Sequence, residues 1–169
     1  MSVQFKGNKS TPISIGILTV SDTRNKETDK SGQAVRKLLE EAGHSVAAYE
    51  LVADELGIIQ HEAQRMLDDN SVQALLITGG TGIAKRDVTI EAITPLFDKE
   101  IPGFGEIFRM LSFTEDIGTK ALLTRASAGV KNNKVVFVLP GSTGAVTLAM
   151  NRLILPELHH ITHELQKDN

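Results

Sequence analysis

Residues 75–87 set the frame for the whole chain and read Leu75-Leu76-Ile77-Thr78-Gly79-Gly80-Thr81-Gly82-Ile83-Ala84-Lys85-Arg86-Asp87. An apolar run typical of a buried strand ends in a glycine-rich turn, and two cations and a carboxylate follow. Glycines allow positive φ angles and a close approach of the backbone, so amide N–H groups can bind phosphate oxygens. A helix predicted over 88–96 would add the positive end of its dipole. Lys85 and Arg86 suit phosphate, whereas Asp87 suits a hydrated Mg²⁺ ion.

Two widespread phosphate-binding motifs do not fit this turn. The pattern G-x-x-x-x-G-K-[ST] needs a glycine directly before Lys85, and G-x-G-x-x-G starting at Gly80 needs a glycine at position 85. A P-loop and a dinucleotide-binding dehydrogenase are therefore not predicted. The turn could also be a plain strand-to-helix connection with a solvated 85–87 segment. Three glycines within four residues are more than a connection needs, which favours a ligand site.

Composition indicates one globular domain without general affinity for polyanions. The chain has 169 residues, 41% hydrophobic and 23% charged, which predicts a single domain over 13–169 after a flexible tail over 1–12. The net charge of −3 predicts neither nucleic acid nor an anionic membrane as a partner, so any anion site must be local. The absence of Cys excludes thiol catalysis and disulfides and agrees with a cytoplasmic location. No signal peptide or membrane-spanning run is predicted.

Apolar runs alternate with helical periodicity, which predicts a three-layer α/β fold. Its central sheet is expected to be mostly parallel, with helices on both faces and a small antiparallel β-hairpin. Strands are predicted over 15–20, 45–52, 74–77, 122–130 and 135–139, the last two forming the hairpin around the turn 131–134. Helices are predicted up to Gly43, after an N-cap at Asp54, around 104–111, and over 143–153 and 157–166 with a break at Pro156.

Four places after predicted strands carry polar or small residues. They are the turn 21–24, Asp54, the glycine turn with Asp87, and the segment 140–144. Ligands of parallel sheets gather at the carboxyl ends of the strands, so these places should lie together. Taken singly, Asp22 and Asp54 are more often caps or turn formers. Their joint placement at one edge favours a functional site.

The histidines have a simpler interpretation. His159, His160 and His163 would share one face of the last helix and could bind a transition metal. A terminal helix with Glu164 and other polar neighbours is more often simply solvated. His44 and His61 are expected at the surface.

Taken together, these motifs resemble the MoaB/MogA family of molybdenum cofactor biosynthesis proteins. The matching segments are 21–24, 78–82, 86–87, 102–106, 125–126 and 139–142, spread over nearly the whole chain. The resemblance implies an α/β protein that assembles into homotrimers or homohexamers and binds molybdopterin. Catalytic members transfer AMP from ATP to the terminal phosphate of molybdopterin with Mg²⁺ and release pyrophosphate. A molybdenum-insertion enzyme of the same pathway is a further implied partner.

The resemblance also implies roles for individual residues. Asp54 and Asp87 become the catalytic pair that holds Mg²⁺ or orients its waters. The residues implied to cradle the nucleotide phosphates are Gly79, Gly80, Thr81, Gly82 and Arg86. Those implied to line the molybdopterin side are Ser21, Asp22, Gly141 and Ser142.

One departure leaves an alternative function open. Catalytic relatives of the MogA kind carry Pro and Lys after the Pro-Gly of the last loop, where this chain has Ser142 and Thr143 and matches the B branch. Some members of that branch bind the pterin without adenylating it. The alternative is therefore a non-catalytic molybdopterin-binding scaffold or carrier in the same pathway. Retention of both Asp54 and Asp87 favours the enzyme.

Overall fold

The computed structural model describes residues 11–169, built around one six-stranded mixed sheet. The strands are β1 (Ser14–Val20), β2 (Ser45–Val52), β3 (Ala74–Thr78), β4 (Lys99–Glu100), β5 (Ser127–Lys131) and β6 (Lys134–Leu139), in the sheet order β2-β1-β3-β6-β5-β4. The four strands β2, β1, β3 and β6 are parallel, whereas β5 runs antiparallel to both β6 and β4. The carboxyl ends of the parallel strands therefore share one edge. Most of the tail predicted over 1–12 lies outside the described residues.

Helices cover both faces of this sheet. They are α1 (Lys30–Glu41), α2 (Leu56–Asp68), α3 (Thr89–Ile93), α4 (Pro102–Glu115), α5 (Thr143–Ala149) and α6 (Leu155–Gln166). Two 3₁₀ segments, Thr94–Leu96 and Gly118–Leu123, and a π-helical turn, Met150–Ile154, complete the structure. Within residues 11–169, no helix combines the length and the apolar character needed to cross a membrane.

Two hydrophobic cores hold the layers together, one on each face of the sheet. Side chains alternate between the faces along a strand, so Ile17 enters one core and Leu18 the other. The first core packs the sheet against α1, α4, α5 and α6, and the second packs it against α2 and α3. The predicted three-layer α/β architecture with its antiparallel hairpin is confirmed.

Two predicted elements are wrong in detail at the hairpin and at the last helix. Residues 122–126 are not a strand, because Gly118–Leu123 forms a 3₁₀ turn and pairing with β6 begins only at Ser127. The helix does not break at Pro156, which lies in the first turn of α6. The π-helical turn before it keeps the chain helical from α5 into α6.

Two further differences affect the candidate site. Glu55, not Asp54, is the N-cap of α2, so the Asp54 side chain does not cap the helix. The helix predicted over 88–96 is only a five-residue α3 followed by a 3₁₀ turn. Residues 83–88 lie between the glycines and that helix, which is too short to contribute a sizeable dipole.

Candidate functional site

A polar cleft of about 480 Å³ opens at the carboxyl ends of β1, β2, β3 and β6. Its wall contains every residue to which the family resemblance gave a role. These are Ser21, Asp22, Asp54, Gly79, Gly80, Thr81, Gly82, Arg86, Asp87, Gly141 and Ser142. The fold thus brings together four segments that are up to 121 residues apart in the sequence (142 − 21).

Asp22 and Asp54 are joined by reciprocal hydrogen bonds. The Asp22 amide donates to Asp54 Oδ2 at 3.0 Å, and the Asp54 amide donates to Asp22 Oδ1 at 2.9 Å. Burial raises the pKa of Asp54, and the neighbouring charges of Asp22 and Asp87 raise it further, against the opposing effects of the Asp22 amide and Arg86. Negative charge is therefore concentrated around Asp22, Asp54 and Asp87, where a divalent cation would neutralise it.

The glycine loop needs its first two glycines for steric reasons. Gly79 and Gly80 have φ angles of 97° and 68°, which side chains rarely adopt. A Cβ atom at Gly79 would clash with the carbonyl oxygen of Val20, and one at Gly80 would clash with Thr89 Oγ1. The Gly79 amide donates to Leu139 O at 2.9 Å and belongs to the sheet edge. Phosphate contacts from this loop must therefore come from amides beyond Gly79.

Asp87 closes the far end of this loop. Its Oδ2 accepts a hydrogen bond from the Ala84 amide at 2.9 Å, and its own amide donates to Ala84 O at 2.9 Å. A Cβ atom at Gly82 would lie 2.7 Å from Asp87 Oδ2, so the third glycine is what lets this carboxylate lie against the loop.

Three cations line the cleft, and two of them were not assigned from the sequence. They are Arg86, which was predicted, and Arg24 and Lys120, which were not. Within residues 11–169, neither Arg86 nor Lys120 makes an ion pair. Lys85, predicted to neutralise phosphate, lies instead in a separate depression beside Glu91 and Arg125.

A buried carboxylate holds Arg24 in place. Arg24 Nη1 donates to Ser31 Oγ at 3.0 Å and lies 3.7 Å from Oδ1 of Asp29. Asp29 is fully buried and accepts hydrogen bonds from Thr19 Oγ1 at 2.6 Å and from the Tyr49 hydroxyl. Burial and then the bond to Asp29 raise the pKa of Tyr49, so its hydroxyl stays a donor. The guanidinium of Arg24 is therefore held in a fixed position by Ser31 and the buried Asp29.

The loop after β6 packs directly against the glycine loop. A Cβ atom at Gly141 would lie 3.3 Å from Gly79 Cα and 3.6 Å from Arg24 Nη1. Ser142 is the N-cap of α5, and its Oγ accepts from the Ala145 amide at 3.2 Å. Arg24 thus brings a positive charge to the loop in which the sequence lacks a lysine.

Sequence reasoning had little chance of finding Lys120. It lies in the 3₁₀ turn Gly118–Leu123, in a segment without any motif, and reaches the cleft only through the packing of that turn. Arg24 was visible in the 21–24 turn, but its position beside Gly141 depends on the fold.

The donor set suits magnesium better than a transition metal. In the described part of the chain, no cluster of three or more His, Cys, Asp or Glu side chains is arranged around a metal position. His159 contacts Thr11 O at 3.0 Å and His160 contacts Glu157 at 3.0 Å. Mg²⁺ bound to phosphates usually takes only one or two protein carboxylates and completes its coordination shell with water. Asp54 and Asp87 provide two such carboxylates in the cleft.

A second, apolar groove of about 860 Å³ adjoins the cleft. Phe113 on α4 and Leu122 on the 3₁₀ turn contribute to its wall and are 54% and 86% exposed. Thr124 lines both the groove and the cleft, and its buried Oγ1 has no hydrogen-bond partner among residues 11–169. Most of the groove surface is apolar, although Glu100, Glu106, Arg109 and Arg125 also line it. The smaller cleft contains the glycine loop and is therefore the better fit to phosphates.

Comparison with known proteins gives consistent matches over nearly the whole chain. The family described as a probable molybdopterin binding domain matches residues 16–160. Molybdenum cofactor biosynthesis protein B of Bacillus subtilis (strain 168) is 60% identical over 152 residues, covering 90% of this chain and 89% of that protein. A crystal structure of a molybdenum cofactor biosynthesis protein B has a TM-score of 0.92 and 55% identity, covering 95% of this chain and 99% of the other.

A more distant solved structure has the same fold. The tungsten cofactor synthesizing protein MoaB from Pyrococcus furiosus has a TM-score of 0.79 and 36% identity, covering 92% of this chain and 98% of the other. The family match over 16–160 includes every residue on the wall of the cleft.

Proposed function

The chain belongs to the family of probable molybdopterin binding domains, and on that premise we propose that it acts in molybdenum cofactor biosynthesis as a Mg²⁺-dependent molybdopterin adenylyltransferase. In this reaction a terminal phosphate oxygen of molybdopterin attacks the α-phosphorus of ATP. A new P–O bond forms, the bond to the bridging oxygen of the β-phosphate breaks, and pyrophosphate leaves. No nucleophilic side chain is needed.

The observation that supports this proposal most is the charge arrangement of the cleft. Two polyanions must meet there, so catalysis depends on positioning and charge neutralisation. The cleft offers three cations and three carboxylates around one glycine loop, namely Arg24, Arg86, Lys120, Asp22, Asp54 and Asp87. An ordinary connecting turn would need neither set.

Asp54 and Asp87 are the residues we assign to Mg²⁺. Their carboxylates interact, since Asp87 helps to raise the pKa of Asp54, and the cleft places both beside the glycine loop. The ion, when bound, would neutralise charge on the phosphate oxygens. On this assignment Asp54 keeps its hydrogen bonds with Asp22, and these bonds connect the proposed Mg²⁺ position to the turn after β1.

The two substrates are assigned to opposite parts of the wall. Arg86 and the glycine loop from Gly79 to Gly82, through its amides beyond Gly79, contact the ATP phosphates, while Ser21, Asp22, Gly141 and Ser142 line the molybdopterin side. Because Gly141 packs on Gly79, the two parts are direct neighbours, as attack of one phosphate on another requires.

A scaffold or carrier that binds molybdopterin without reacting is the second candidate. It is favoured by the loop after β6, which has Ser142 and Thr143 in place of the Pro-Lys of catalytic relatives. Arg24, 3.6 Å from a Cβ position on Gly141, offsets that missing charge and favours the enzyme.

The deciding experiment incubates the pure protein with molybdopterin, Mg²⁺ and α-labelled ATP and follows adenylylated pterin and pyrophosphate, and a separate titration measures molybdopterin binding. The variants are Asp54→Asn and Asp87→Asn, since asparagine keeps an acceptor for the Asp22 and Ala84 amides. The matched control is Asp168→Asn at the exposed end of the chain.

The outcomes distinguish the two candidates and include one that refutes both. Product from the wild-type and control proteins, lost on changing Asp54 or Asp87, supports the adenylyltransferase. Tight pterin binding without product supports the carrier. If the protein neither binds molybdopterin nor forms product, both candidate functions are refuted.

A further inference from the structure

Arg125 contacts the backbone on both sides of residues 83–86. Its backbone amide donates to Thr81 O at 3.0 Å, and Nε donates to Gly82 O at 3.0 Å. Nη2 donates to Asp87 O at 3.0 Å. One residue, 38 positions beyond Asp87 in the sequence (125 − 87), therefore holds the carbonyl groups on either side of residues 83–86.

The segment between these contacts has little else to hold it. Residues 83–86 are all exposed, so they have no core packing to fix their position. Within the loop, the Asp87–Ala84 turn is local and could move as a unit. This segment carries Arg86 and ends at Asp87, the residues assigned above to phosphate and metal. Its conformation therefore decides where those two side chains lie.

The contacts of Arg125 also set the direction of loop amides. A trans peptide group is planar, with its C=O and N–H pointing in opposite directions. Because the carbonyl groups of Thr81 and Gly82 point at Arg125, the amides of the same two peptide groups, those of Gly82 and Ile83, point away from it. Arg125 thus occupies the carbonyl side of the loop, through its backbone amide at Thr81 and its guanidinium at Gly82, and leaves the amide side to a ligand.

Glu91 on α3 fixes the guanidinium in turn. Nη1 of Arg125 donates to Glu91 Oε1, and Nη2 lies 3.3 Å from Oε2, which gives a two-pronged ion pair. The hydrogen bond from Arg125 lowers the pKa of Glu91, so the carboxylate remains charged. Both side chains are partly exposed, at 34% and 46%, so we attribute to the pair an orienting role rather than a large contribution to stability.

We propose that Arg125 is the positioning residue of the glycine loop and of the segment that follows it to Asp87. It holds Thr81, Gly82 and Asp87 in the arrangement that binds the ATP phosphates, and Glu91 orients its guanidinium. This assignment rests on the proposed function. Lysine cannot replace arginine here, since a single ammonium group lacks the planar fork that reaches two carbonyl groups and a carboxylate together.

The test compares the full-length wild-type protein with Arg125→Met, Arg125→Lys and Glu91→Gln. The matched control is Arg65→Gln, which breaks the Arg65–Glu62 ion pair on α2, away from the cleft. Three quantities are measured: hydrogen exchange of loop amides 82–87 without ligand, the affinities for Mg-ATP and for molybdopterin, and kcat and KM for ATP. Melting temperatures report on overall folding.

We expect Arg125→Met and Arg125→Lys to exchange their loop amides faster and to weaken ATP binding by roughly tenfold to 100-fold, as a misplaced positioning group does. Molybdopterin affinity should stay within about twofold, because the residues assigned to the pterin are not on this loop. Glu91→Gln should change the same quantities less, and Arg65→Gln should change none of them.

Unchanged loop exchange and ATP affinity in Arg125→Met would overturn the inference. Equal weakening of ATP and molybdopterin binding, in step with a lower melting temperature, would also overturn it, because that pattern reports a general structural role. Failure of the wild-type protein to bind ATP would instead refute the adenylyltransferase. In that case loop exchange alone decides whether Arg125 positions the loop.

Discussion

At the scale of single residues, Gly80 shows why the second position after β3 tolerates no side chain. Its φ of 68° is unfavourable for other residues, and a methyl group would clash with Thr89 Oγ1. We expect Gly80→Ala to cost about 1–3 kcal/mol of unfolding free energy and to weaken phosphate binding by displacing the loop. Urea denaturation and Mg-ATP titration measure the two effects.

Gly103→Ala is the matched control for that prediction. Gly103 lies in the first turn of α4, and a Cβ atom there would meet nothing within 4 Å. The added methyl group should leave stability unchanged or raise it by up to about 1 kcal/mol, as expected for glycine to alanine within a helix. If Gly80→Ala behaved like Gly103→Ala, the positive φ and the clash at Gly80 would not be limiting.

Asp87 allows a second prediction at this scale. We expect Asp87→Asn to reduce adenylyl transfer by roughly 100-fold or more, because a metal-holding group acts mainly in the transition state. Pterin affinity should be nearly unchanged, which equilibrium titration with molybdopterin measures. If the variant turned over normally, Asp87 could not be the residue that holds Mg²⁺.

At the scale of elements, His44 joins the start of β1 to the helical layer. Its Nδ1 accepts a hydrogen bond from the Ile13 amide at 3.1 Å, and its ring lies 5.0 Å from that of His159, which contacts Thr11 O. Contrary to its expected surface position, His44 is only 8% exposed. Its Nδ1 must be unprotonated to accept the Ile13 amide, so the fold selects neutral His44.

This arrangement predicts a pH dependence of stability. Burial, and next the neighbouring His159, lower the pKa of His44 below its ordinary value of 6.5. The unfolded chain then binds the proton more readily, so stability is lost as the pH falls from 6.5 towards the lowered pKa. Melting curves between about pH 5 and 8 should show a smaller acid loss for His44→Gln than for wild type. His61→Gln, at an exposed position, should match wild type. Equal slopes for all three proteins would contradict this origin.

Elements also show what the sequence could and could not predict. Apolar runs were sufficient to predict β1, β3 and β6, because buried parallel strands are continuously apolar. They also located β2, although this edge strand is only partly buried. They failed at 122–126, where Leu122 and Leu123 look like strand residues but lie exposed on a 3₁₀ turn. The position of Asp54 after a strand predicted its place in the cleft, whereas its bond to Asp22 depends on how two distant turns meet.

At the scale of the whole molecule, the exposed apolar surface of α4 and the 3₁₀ turn is the feature that a monomer explains least. Ile107, Met110 and Phe113 on α4 are about half exposed, and Leu122 on the 3₁₀ turn is 86% exposed. Phe113 and Leu122 both line the apolar groove that adjoins the cleft. Contiguous apolar surface of this kind marks contacts between proteins. We propose that this surface joins copies of the chain into the trimer or hexamer implied by the family resemblance.

Light scattering after gel filtration tests that assembly. We expect the wild-type protein to have the mass of a trimer or hexamer and Leu122→Glu to shift it towards the monomer, since a charge in an apolar interface loses its hydration. Ile58→Glu, which changes an exposed apolar residue of α2 that does not line the groove, should keep the wild-type mass.

Because Leu122 shares its 3₁₀ turn with Lys120 of the cleft, we further expect the dissociated variant to bind Mg-ATP more weakly. An unchanged mass for Leu122→Glu would remove this surface as the interface, and a monomer with wild-type ATP affinity would show that the cleft works without assembly.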